Sequence, residues 1–112
     1  MASKPLESVV LKQCLEYLKL KGICAWRQNS GSFAGEYNGK KRFVKFSGAE
    51  GIGDVIGVLP NGKFFSLEVK RPGGKPKPHQ EEFMRMVIRN NGIAFWVDSV
   101  EQLIEKISEL GF

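Results

Sequence analysis

Three residues between positions 54 and 70 have types and spacing that could do chemistry: Asp54, Glu68 and Lys70. They flank a Pro60-Asn61-Gly62 break with apolar and β-branched residues on either side, which predicts two strands and a tight turn. Pro60 suits the first corner of a type I turn, and Gly62 the left-handed position of a three-residue hairpin loop. That loop pairs Leu59 with Lys63, and counting back sets Asp54 opposite Glu68. Directly opposed side chains share a face, with β-carbons about 5 Å apart. Lys70, two residues beyond Glu68, points to the same face. Two bare carboxylates that close repel, so the arrangement makes sense with a cation between them. A two-residue loop would instead pair Asp54 with Val69 and turn it away from Glu68, and a bulge at Gly57 would also move the register. The plain alternative makes Glu68 and Lys70 a solvated pair on a strand and Asp54 a turn residue.

The elements that must position these groups are legible on either side. Leu6 to Lys21 reads as a helix, with Pro5 at its start, Gly22 at its end, and Val10, Leu11, Cys14, Tyr17 and Leu18 on one face. Glu7 belongs to the same stripe. Its carboxylate either complements the helix dipole or points inward to a metal. Ile23 to Asn29 reads as a strand, and the glycine-rich segment from 30 to 41 as a hairpin or loop. Arg42 to Phe46 alternates like a second strand. Arg71 to Pro78 is a basic Pro/Gly loop. His79 to Asn91 follows as a helix opened by Pro78, with Phe83, Met86, Val87 and Gln80 on its inner side. Ile93 to Val97 is a short strand. Ser99 and Gln102 form a capping box for a last helix through Leu110. A strand at 64–70 joined through a helix to one at 93–97 is a crossover, so part of the sheet is parallel. The expected fold is α/β: one domain over residues 1–112, a small mixed β-sheet flanked by helices.

No apolar run approaches the roughly 20 residues needed to span a bilayer, and the N-terminus lacks a signal peptide's apolar core. A cytoplasmic setting is the expectation, with no membrane partner. Two cysteines make a poor zinc site, and Cys14 and Cys24 both read as buried free thiols. Net charge is +5, from 17 basic and 12 acidic residues. Setting aside three acids for a metal, and Lys70 for the site, leaves 16 basic against 9 acidic groups, a surface that attracts a polyanion. Trp26, Phe95 and Trp96 have strand spacing and read as core. Phe33 and Tyr37, in the glycine-rich segment, could stack on unpaired bases or anchor that segment to its own domain.

Four pieces, in order, resemble the PD-(D/E)xK nucleases and closely the virus-type replication-repair nuclease (VRR-NUC) domain: Arg27-Gln28-Asn29-Ser30-Gly31, Gly51-Ile52-Gly53-Asp54, Glu68-Val69-Lys70-Arg71-Pro72, and His79-Gln80-x-x-Phe83. The resemblance runs from Glu7 to the last helix, with glycine rather than proline before Asp54. It implies a restriction-endonuclease-like core and an Mg2+- or Mn2+-dependent endonuclease cutting DNA phosphodiesters, of the stand-alone type found in bacteria and phage-infected cells. By matching position, Asp54, Glu68 and the Val69 carbonyl would bind metal, with Glu7 completing the shell. Lys70 would orient or deprotonate the attacking water, and Gln80 would help hold Lys70 or that water. Arg27, Asn29, Ser30, Lys40, Lys41, Arg42, Arg71, Lys75 and Lys77 are the expected DNA contacts. The chemistry agrees: a hard divalent ion with oxygen ligands supplies a hydroxide-like nucleophile and neutralises phosphate charge, and its charge lowers the pKa of a neighbouring lysine. With little room in 112 residues for a separate recognition domain, structure-selective cutting of branched DNA by a homodimer is expected, four-way (Holliday) junctions in particular. The alternatives are a nuclease for flap or duplex DNA, or an inactive nucleic-acid-binding module of the same fold.

Overall fold

The chain turns at Pro60 as the sequence requires. Gly62 takes φ +86°, its N–H donates to the Leu59 carbonyl at 2.8 Å, and the Leu59 N–H donates to the Lys63 carbonyl at 2.9 Å. This computed structural model describes residues 6–28, 32–37, 40–45 and 51–112; for 32–37 and 40–45 it is the backbone that is described. The elements in order are α1 (Glu7–Leu20), β1 (Cys24–Arg27), β2 (Ser32–Tyr37), β3 (Lys40–Lys45), β4 (Val55–Val58), β5 (Phe64–Val69), α2 (Pro78–Arg89), β6 (Ile93–Val97) and α3 (Val100–Glu109).

Four strands form a mixed sheet in the order β1-β4-β5-β6. The β1–β4 and β4–β5 pairs are antiparallel and β5–β6 is parallel, as the crossover through α2 demands. In β4–β5, Val58 opposes Phe64 and Val55 opposes Leu67, with Gly57 opposite Phe65 and no bulge. One more step in this register sets Asp54 against Glu68. The β2 and β3 strands form a separate two-stranded sheet, with Gly35 opposite Arg42. The segment read as a hairpin or loop over 30–41 thus supplies β2 and the start of β3, and the strand read at 42–46 pairs with it and not with the main sheet.

Central position explains why β5 is buried from Phe65 through Val69. Phe65, Leu67 and Val69 point to one face, where Val10, Leu11, Cys14 and Leu18 of α1 and Leu103 and Ile107 of α3 complete the core. Fully burying one such aliphatic side chain contributes about 1.5–3 kcal/mol. Ser66 and Glu68 point to the other face, where α2 packs on β5 and β6 through Phe83 and Val87. Because α2 covers that half alone, the expectation of core tryptophans fails. Trp26 on edge strand β1 is 48% exposed, and Trp96 on edge strand β6 is 36% exposed. Phe95 points to the α1/α3 face and packs against Phe65, ring centroids 5.7 Å apart. Met86 and Ile104, at the margins of their helix stripes, are also exposed. Cys14 is buried as expected. Cys24, at the start of an edge strand, is exposed, against the expectation.

Candidate active site

Asp54 sits just before β4, at the end of the sheet. Its Oδ2 accepts the Val69 N–H at 2.8 Å. This bond ties the loop carboxylate to β5 and holds it beside Glu68. The approach is tight: a Cβ on Gly53 would stand 2.5 Å from Ser66 Oγ and 2.8 Å from the Leu67 carbonyl oxygen. A residue with any side chain would push Asp54 off the strand, which gives the glycine before Asp54 a steric reason.

Glu68 is 3% exposed on the face covered by α2. Two donors converge on its Oε1: Gln80 Nε2 at 2.9 Å and Lys70 Nζ at 3.4 Å. Gln80 Oε1 in turn accepts the Lys77 N–H at 2.8 Å, at the start of α2. A backbone N–H can only donate, so this second bond fixes which end of the Gln80 amide faces Glu68. Gln80 therefore satisfies the opening turn of α2 and orients a buried carboxylate with the same side chain.

Burial pushes the Glu68 carboxyl up to about 8, with the charge of Asp54 and a hydrogen bond to it adding to the rise and Lys70 opposing it. One ammonium does not balance two carboxylates in this enclosure. Ser66 Oγ, one step back on the same face, is buried without a hydrogen-bond partner among the described residues.

The other expected residues divide. Glu7 is exposed on the first turn of α1, approaches from the α1 side, and lines a cavity of about 460 Å3 together with Asp54 and Arg27. Glu68 faces α2 instead. Among the described residues no group of three or more carboxylate, histidine or cysteine side chains is gathered in metal-holding geometry, so Glu7 does not form a ready-made cage with the other two. Arg71, Lys75 and Lys77 are exposed on the loop between β5 and α2. Lys40, Lys41 and Arg42 lie on or beside the pairing backbone of β3, with Lys41 opposite Glu36. Asn29 and Ser30 fall outside the described residues. Two residues the sequence reading passed over, Ser8 and Lys12, line the Asp54 cavity. Their signal is spacing: one helical turn apart, next to the Glu7–Leu11–Leu15 stripe. A cavity of similar size, about 470 Å3, lies against β6 and α3 and contains none of the carboxylate set.

Comparison with known proteins agrees with the order of these elements. The chain matches a solved structure described as a VRR_NUC domain with a TM-score of 0.62, at 26% sequence identity, over 91% of this chain and 94% of that one. No protein-family model matches the chain, nor does any curated protein. A mixed sheet flanked by three helices, matched over nearly its whole length, makes this a nuclease-type α/β domain. The resemblance to VRR-NUC domains seen in the sequence motifs thus holds in three dimensions.

Proposed function

We propose that the protein is a metal-dependent endonuclease that hydrolyses DNA phosphodiester bonds at branched structures. The observation that carries this reading is the opposition of Asp54 and Glu68 across the β4–β5 hairpin, with Gln80 and Lys70 both directed at Glu68.

The donor set fits a hard divalent cation. Two close carboxylates, with the charge of Asp54 raising the proton affinity of Glu68, beside a main-chain carbonyl at Val69, supply oxygen ligands alone and suit Mg2+ or Mn2+. Asp54, Glu68 and the Val69 carbonyl would hold the ion, with Glu7 completing the shell from the α1 side. When bound, the ion supplies charge neutralisation at the phosphate and an acidified water. The protein groups do the rest. The Val69 N–H fixes Asp54, and Gln80 fixes Glu68. Lys70, largely enclosed at 12% side-chain exposure, holds its ammonium at the edge of the pair, placed to orient a water or take its proton.

The exposed cations Arg71, Lys75 and Lys77 flank the site and suit contact with phosphates of any sequence. Two-fold symmetric branched DNA needs two cuts on opposing strands, which a homodimer delivers with one interface, so a homodimer acting on four-way junctions is the assembly we infer. The setting we infer is the cytoplasm of a bacterial or phage-infected cell.

The test is cleavage of labelled duplex, flap, splayed-arm and four-way-junction DNAs with Mg2+, Mn2+ or a chelator. Metal-dependent, symmetric nicking of the junction supports the whole reading. Cutting of flaps by a monomer removes the junction and dimer statements. No cleavage of any substrate with either metal removes the enzyme.

A further inference from the structure

The cavity bordering Asp54 differs in its lining from the enclosure around Glu68 beneath α2. Its wall on α1 is made by residues 7, 8, 11, 12 and 15, the spacing of one helix face, and Arg27 on β1 and Asp54 before β4 line it as well. Lys12 stands five residues beyond Glu7, about 7.5 Å along the helix axis. The cavity therefore carries charges of both signs. Glu7 and Asp54 are the acids to which the proposed function assigns a cation. Lys12 and, from β1 opposite Val55, Arg27 bring two positive charges. Neither is paired with a carboxylate among the described residues.

With a cation held by the two acids, the rest of the cavity is an anion site beside the place of cutting. Its donors differ in kind: a planar guanidinium, an ammonium and the Ser8 hydroxyl, above apolar contact from Leu11 and Leu15. A phosphodiester backbone has this mixed character, with charged oxygens next to an apolar sugar edge. We propose that the α1–β1 cavity is a backbone-phosphate subsite, in which Lys12 and Arg27 hold the phosphate next to the scissile one in the strand being cut. The inference rests on the nuclease reading and adds to it a register for the bound strand: the cut strand runs past Asp54 along the start of α1.

The experiment couples protein and substrate changes. Substrates carrying one neutral methylphosphonate, at each position flanking the cut in turn, are cleaved by the wild type, Lys12→Ala, Arg27→Ala and Lys12→Arg proteins, with circular dichroism to establish folding. The subsite predicts that neutralising one flanking phosphate slows wild-type cleavage about tenfold. Lys12→Ala and Arg27→Ala should cause a similar loss on the natural substrate, mostly in KM, and little further loss on that one modified substrate. Lys12→Arg should retain most activity. Losses that multiply at every position, or variants that cut like the wild type, overturn the subsite and leave the nuclease standing. A wild-type protein that cuts none of the substrates removes both.

Discussion

Gln80 Nε2 lies 2.9 Å from Glu68 Oε1, and the same amide accepts the N–H of Lys77 through its oxygen. A single side chain thus couples the opening turn of α2 to the most buried acid of the site. Gln80→Glu keeps an acceptor for Lys77 but removes the N–H donated to Glu68 and sets a further carboxylate against it. In chelator this variant should lose about 1–3 kcal/mol of stability, and added Mn2+ should restore part of it. Thermal unfolding with and without the metal checks both.

Asp54→Asn retains an oxygen for the Val69 N–H and relieves the repulsion with Glu68. It should fold at least as stably as the wild type in chelator, yet neither cleave DNA nor bind metal by calorimetry. Asp54→Ala should be equally inactive but less stable than Asp54→Asn by about 1–3 kcal/mol, because it leaves the Val69 N–H without its partner. Normal turnover by either variant would remove Asp54 from the site.

Lys70→Ala should remove most of the cleavage rate while metal binding survives, since the role assigned to the ammonium is in the chemical step. Its carboxylate neighbour then loses the cation that favours its ionised form. Metal affinity that falls as far as in Asp54→Asn would make Lys70 a structural residue instead.

Stability in chelator should fall with rising pH across a window set by Glu68. The unfolded carboxyl releases its proton near 4.5, while the folded one holds it to about 8. Between these values the folded state binds more protons, so each rise in pH favours unfolding. The contribution is fully present below about 4.5 and gone above about 8, and amounts to on the order of 5 kcal/mol. Glu68→Gln should flatten this part of the pH–stability curve in denaturant titrations.

The two cysteines should separate cleanly. Cys24 is exposed, whereas Cys14 is fully buried, with burial and then the charge of Glu101 pushing its thiol up to about 11. A maleimide should add once to the native protein and twice in denaturant. Two rapid native adducts would mean that α1 opens readily.

What could be read ahead of the structure follows from how local each interaction is. The Asp54–Glu68 register needs the turn at 60–62 and the period of two, both written within 15 residues. Helix stripes and the parallel strand were legible for the same reason. The tryptophans were not: strand spacing says which face Trp26 and Trp96 share, but their exposure depends on how far α2 reaches across the sheet. Cys24 was misplaced on the same ground. Gln80 could be set on the inner side of its helix, while its bond to the Lys77 N–H depends on where α2 begins, which Pro78 alone leaves open by a residue or two. Lys12 had only its spacing beside the Glu7–Leu11–Leu15 stripe as a signal, and that Arg27 joins it in one cavity depends on how α1 docks on β1.

The hairpin geometry has a consequence for how the molecule comes into being. Asp54, Glu68, Lys70 and Gln80 all fall between positions 54 and 80, brought together by one tight turn and one short loop. Closing such short loops costs little chain entropy and is fast, so the carboxylates meet before the distant termini, α1 and α3, need to dock. Their mutual repulsion is then felt by the nascent chain and not by the finished domain alone. A divalent ion present during synthesis would relieve that repulsion at its first appearance, so the cation proposed for cleavage would aid folding as well.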